Sequence, residues 1–165
     1  MKYLFFLLIV CSLIGCNDKK QVSPLATADA KQSEVSVAPV NEPSLIVLGT
    51  AQDAGAPQLG CQKDCCVSRF KIPNPLDAVV ALGFIDPKSG NNYLFEATPD
   101  IGKQLRWLQI ANPKRPVFPS GIFLTHGHIG HYSGLQFLGK ESAATTDVST
   151  YAMPKMTEFL STNGP

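Results

Sequence analysis

The chain has 165 residues, 44% of them hydrophobic, with 14 basic and 13 acidic side chains and a formal net charge of +1. This length and balance indicate one modest globular domain with additions, and exclude a disordered or strongly charged chain. The charges form no long run of one sign, so neither a nucleic-acid track nor a polybasic membrane patch is expected.

Leu4 to Ile14 is an almost unbroken apolar run behind Lys2, the pattern of an export signal. It is too short for a permanent spanning helix, which needs about 20 apolar residues. The run ends in Leu13-Ile14-Gly15-Cys16, which resembles the bacterial lipobox. The resemblance implies that residues 1–15 are a lipoprotein signal peptide, discarded together with Cys11, and that Cys16 receives lipid. Each methylene buried by that lipid contributes about 0.8 kcal/mol, enough to tether the protein to a membrane surface. An exported, lipid-anchored protein is thus expected, and Asn17 after the cysteine leans, by resemblance to enterobacterial sorting, towards the periplasmic face of the outer membrane. An ordinary cleaved signal or a short anchor is the alternative.

Residues 17–43 carry three prolines and no aromatic residue, so the span from Cys16 to Pro43 reads as a lipidated cysteine followed by a flexible linker. The folded part is expected over residues 44–165. It opens with Leu45-Ile46-Val47-Leu48, a buried strand ending at Gly49-Thr50. A loop rich in Gly, Ala and Pro follows, and then Cys61, Cys65 and Cys66, three cysteines in six positions. These could supply thiolates to a structural zinc, or form a disulfide and a spare thiol in an exported protein.

Asp77 to Ile85 and Tyr93 to Glu96 read as the two strands of a hairpin around the polar turn 86–92. Glu96, at the strand end, reads as a hydrogen-bonding loop residue more than a catalytic carboxylate. Asp100 is placed to cap a helix with Ile101, Leu105 and Leu108 on one face and Trp107 beside it. After a proline-marked loop, Gly121-Ile122-Phe123-Leu124 is a short buried strand. A helix from about Tyr132 to Lys140, a strand near Ser149 to Met153, and a helix with Pro154 in its first turn complete the chain.

Chemistry concentrates at Thr125-His126-Gly127-His128-Ile129-Gly130-His131, which holds all three histidines within six positions. In an extended backbone His126 and His128 point to the same side and can grip one cation, while His131 follows where a helix starts. Imidazole suits zinc, whose catalytic sites take nitrogen, sulfur or carboxylate donors and leave one position open.

This string, after an apolar strand and before Tyr132-Ser133-Gly134-Leu135, resembles the metal-binding motif of the metallo-β-lactamase fold hydrolases. The resemblance implies that His126 and His128 serve a first metal and His131 a second. Where that family usually has Asp, this chain has Gly130, which offers no donor, so one or two zinc ions are implied. The stretch from Leu48 through Pro57, Gly60 and the cysteines resembles a branch of that fold. The branch includes protein B of pyrroloquinoline quinone biosynthesis and certain phosphodiesterases, some with a cysteine-ligated zinc.

The implied architecture is α/β (α+β), the first half of a four-layer αββα metallo-β-lactamase sandwich. The implied function is a zinc-dependent hydrolase in which metal-bound hydroxide attacks an ester, amide or phosphodiester of a small-molecule substrate. In that fold the remaining ligands come from later strands. No histidine follows His131, so the chain is expected to be the N-terminal portion of a longer enzyme. A lipid-anchored, non-catalytic metal- or quinone-related binding protein, or an inactive truncated remnant, is the alternative.

Overall fold

The computed structural model describes residues 37–74, 76–114 and 116–163. The expected signal peptide, Cys16 and the linker as far as residue 36 lie outside the described residues. Among the described residues no helix is long and apolar enough to cross a membrane.

Apolar runs bounded by turn residues become strands. They are β1 (Ser44–Gly49), β2 (Ala81–Asp86), β3 (Asn91–Phe95), β4 (Gly121–Phe123) and β5 (Ser149–Tyr151). They form one five-stranded sheet in the order β1-β2-β3-β4-β5. The first three strands pair antiparallel, and β4 and β5 add in parallel, each reached through a helical connection. The hairpin between β2 and β3 turns on Asp86. It accepts hydrogen bonds from Ser89 Oγ at 2.7 Å and Lys88 N at 3.0 Å, which hold its carboxyl below the usual range.

The helices are α1 (Asp64–Lys71), α2 (Ile101–Ala111), α3 (Ile129–Tyr132) and α4 (Pro154–Thr162), with a 3-10 helix over Ser133–Leu138 directly after α3. Ile101, Leu105 and Leu108 fall on one face of α2 and are buried. Ile101 and Leu105 join Leu48, Leu94, Ile122 and Met156 in the main core. Gly83 lets the helix settle on the sheet, since a Cβ there would stand 2.6 Å from Leu108 Cδ1. Gln104, fully buried on α2, donates to Val79 O at 2.7 Å and Leu48 O at 3.3 Å and accepts from Thr98 Oγ1 at 2.7 Å.

The opposite face of the sheet carries Leu45, Phe84 and Tyr93 in one register row and Val47, Leu82, Phe95, Phe123 and Tyr151 in the next. Phe123 stacks on Phe95 at 5.2 Å and on Tyr151 at 4.7 Å between ring centroids. No helix of the described core covers this face, and Leu45 and Val47 are 62% and 61% exposed.

Several local expectations change. Helix α1 is additional to the elements read from sequence. The region after Ile129 is a short α-helix and a 3-10 helix instead of one helix from Tyr132 to Lys140. The second strand starts at Ala81, not Asp77, because Val79 leaves the ladder: it bridges to Ala51, and its N–H donates to Asp100 Oδ2 at 2.8 Å. Asp100 therefore stands at the start of α2 without bonding the helix N–H groups. Its carboxylate holds Val79 and pairs with Lys103 at 2.9 Å. The segment before Ser44 is also engaged, since Val37 and Val40 pack against Ile85, Leu108 and Ala111, and Val40 N donates to Ala111 O at 2.9 Å.

Candidate metal centre

The three histidines lie just beyond the C-terminal end of β4, where side chains leaving a parallel strand converge on an open edge. Leu124 N donates to Tyr151 O at 2.9 Å, which keeps the chain in line with β5 up to Thr125. His131 N then donates to His128 O at 2.9 Å, so the turn into α3 swings the third imidazole back over the first. The ring centroid of His126 is 4.7 Å from that of His128 and 4.1 Å from that of His131. His126 and His128 are exposed and His131 is buried.

Glu96 enters from the end of β3. Its backbone leaves the extended conformation with φ of 74°, unusual for a residue with a side chain. The turn is held by Glu96 N donating to Phe123 O and Ala97 N donating to His131 O, both at 2.9 Å. The buried carboxylate receives the Thr125 hydroxyl on Oε1, with Thr125 N at 3.4 Å from Oε2. Thr125 Oγ1 also lies 2.8 Å from His126 Nδ1. A hydroxyl that gives its one proton to a carboxylate must accept at its other contact. His126 Nδ1 is then the protonated nitrogen, and its Nε2 keeps the lone pair a metal needs.

Glu96, His126 and His131 can each present a donor atom so that all three lie within 4.8 Å of one another. His131 Nδ1 is buried and makes no hydrogen bond, with Glu96 Oε2 3.5 Å away. A buried nitrogen left without a partner is costly, and a cation between it and the carboxylate would remove that cost. Two imidazoles and a carboxylate are a donor set that zinc accepts.

His128 belongs to a different pair. Its Nδ1 stands 3.4 Å from Oδ2 of Asp53, in the loop after β1. His126 and His128, expected from sequence to act as a pincer, form with His131 a row of three imidazoles that has a carboxylate near each end. Sequence reasoning treated Glu96 as a loop residue and did not single out Asp53. The signal available was Gly130, which leaves a motif of this type short of a carboxylate.

Cys61, Cys65 and Cys66 are free thiols. Cys61 lies in the loop three residues before α1, while Cys65 and Cys66 lie in the first turn of that helix, and the three sulfurs fall within 4.8 Å of one another. They form a second cluster able to hold a metal, and the structure pairs none of them in a disulfide.

No protein-family model matches the chain, and no curated protein does. Solved structures do. Zinc-bound PqqB from Methylobacterium extorquens is 22% identical with a TM-score of 0.54, the match covering 72% of this chain and 40% of that one. A new diphosphatase from the PhnP family is 24% identical with a TM-score of 0.52, over 72% of this chain and 44% of that one. The matched region thus covers less than half the length of each of these structures. With a histidine cluster at the strand ends of a mixed sheet, and these two structures as neighbours, the chain carries a PqqB-like metallo-β-lactamase fold.

Proposed function

We propose that the chain is the metal-holding part of a zinc-dependent hydrolase acting on an ester, amide or phosphodiester. The observation that carries this reading is the convergence of Glu96, His126 and His131, with the buried His131 Nδ1 left without a hydrogen bond. The zinc in PqqB and the diphosphatase activity named for the second similar structure support it.

When bound, zinc lowers the pKa of water towards neutrality and polarises the bond to be cut. The chain's own residues do the rest. Glu96 offsets positive charge from a buried position and, through Thr125, fixes the tautomer of His126. His131 holds its ring within the fold, while the exposed faces of His126 and His128 leave the site open to a substrate from solvent.

The test is metal content together with turnover. His126→Ala combined with His128→Ala should remove metal from the imidazole site, while the parent chain's hydrolysis of a phosphodiester or ester probe should stop on chelation and return with zinc. Unchanged zinc in the double variant would refute the reading.

A further inference from the structure

We propose that Asp53, packed against Gly130, is a direct metal ligand beside His128 in the histidine cluster. The inference rests on the metal-site reading above and assigns it a residue from a distant part of the chain.

The first observation is where Asp53 sits. A Cβ built on Gly130 would fall 2.2 Å from Asp53 Cβ and 2.4 Å from both Asp53 Cα and Asp53 O. The Asp53 side chain therefore starts 2.2 Å from where a side chain on residue 130 would start. The absence of a side chain at Gly130 makes room for the loop, and the loop brings in a carboxylate.

The second observation is where the carboxylate points. Asp53 Oδ2 is 3.4 Å from His128 Nδ1. Two donors on one tetrahedral zinc, each at about 2.0–2.2 Å, are separated by about 3.3–3.5 Å. The pair thus stands at the separation of two ligands of one ion, longer than a good charge-assisted hydrogen bond of about 2.7–2.9 Å.

The third observation is that the loop is fixed at its root. Thr50 N and Ala51 N donate to Ala78 O at 3.1 and 2.9 Å, Val80 N donates to Ala51 O at 2.8 Å, and Gly55 N donates to Gln52 O at 2.8 Å. Gln104 holds Leu48 and Val79 from below. Asp53 is thus presented by a braced turn, and at about a third exposed its carboxylate keeps an oxygen towards solvent, where an incoming water or substrate would lie.

The experiment uses the full chain, stripped of metal and titrated with cobalt(II) as a probe for zinc. Cobalt on imidazole and carboxylate is read in the visible, apart from the near-ultraviolet sulfur charge-transfer of cobalt on the cysteines. Asp53→Asn, close in shape and neutral, should weaken cobalt and zinc at the imidazole site by more than the 10–100-fold that loss of an outer partner costs. It should also change the visible band. Asp53→Ala should do the same, with the cysteine signal of both variants equal to the parent's as a check on folding.

A parent chain that takes no cobalt at its imidazoles overturns both this assignment and the metal-site reading. A parent that takes it, with Asp53→Asn indistinguishable in affinity and band, overturns only the assignment. Weakened affinity with an unchanged band makes Asp53 an outer partner that orients His128, and likewise overturns direct ligation.

Discussion

At the scale of single residues, the site depends on one position having no side chain. Gly130 is buried against the backbone of Asp53, and a Cβ there would meet Asp53 O and Cα at 2.4 Å, so the neighbour in the way is main chain and cannot rotate aside. Gly130→Ala should therefore push the loop after β1 outwards. The expected cost is that of overpacking, about 1–3 kcal/mol, read as a lower midpoint in urea unfolding. Metal affinity at the imidazoles should fall with it, because the displaced loop carries Asp53. A variant with the parent's midpoint would mean that the loop moves freely. The three histidines were legible in sequence because they lie within six positions. Asp53 was not, since nothing local marks a carboxylate in a Gly- and Ala-rich loop as facing a distant glycine. Glu96 was half legible: it does hydrogen-bond, to Thr125, but only the fold shows that the same carboxylate borders His131.

At the scale of elements, the strongly apolar segments were readable and the polar ones were not. β1, the hairpin strands and α2 each bury a stripe or run that no solvated segment could tolerate. Helix α1 buries only Cys66 among its residues, with Phe70 58% exposed, so it is short and polar and offers little apolar surface to mark it. The helix expected after His131 is broken into short turns around Gly134, a residue that favours neither a long helix nor a single register. How the elements are fastened rests on Gln104, whose amide joins α2 to β1 and to the Val79 segment. Gln104→Leu keeps the volume and removes those bonds, leaving Leu48 O, Val79 O and the Thr98 hydroxyl short of a buried partner. The expected loss is about 1–3 kcal/mol for each group left unsatisfied, measured by urea unfolding. A loss well below that range would show that the carbonyls find other donors. Since this segment braces the loop of Asp53, the same variant should also weaken metal at the imidazoles.

At the scale of the whole molecule, the described residues cover the sheet on one side only. Ile46, Leu94 and Ile122 face α2 and the core, whereas the alternate residues of the same strands carry an aromatic and aliphatic face with Leu45, Val47 and Tyr151 substantially exposed. A sheet face of this composition is one that layered folds cover with a second layer, and the two similar structures are each more than twice as long as the matched region. The 165-residue chain on its own should therefore bind a hydrophobic dye and self-associate as its concentration rises. The double variant Leu45→Thr with Val47→Thr should lower both dye binding and association. Its unfolding midpoint should move little, because exposed substitutions away from a packed core usually change stability by less than about 0.5 kcal/mol. Dye binding equal to the parent's would place the sticky surface elsewhere. A large drop in stability would mean that these side chains are packed in solution, and so that the face is already covered. The candidate metal centre gives the prediction its functional side: His126 and His128 open onto solvent at the end of this sheet. A layer laid over the aromatic face would raise a wall beside them, turning an exposed row of imidazoles into a cleft.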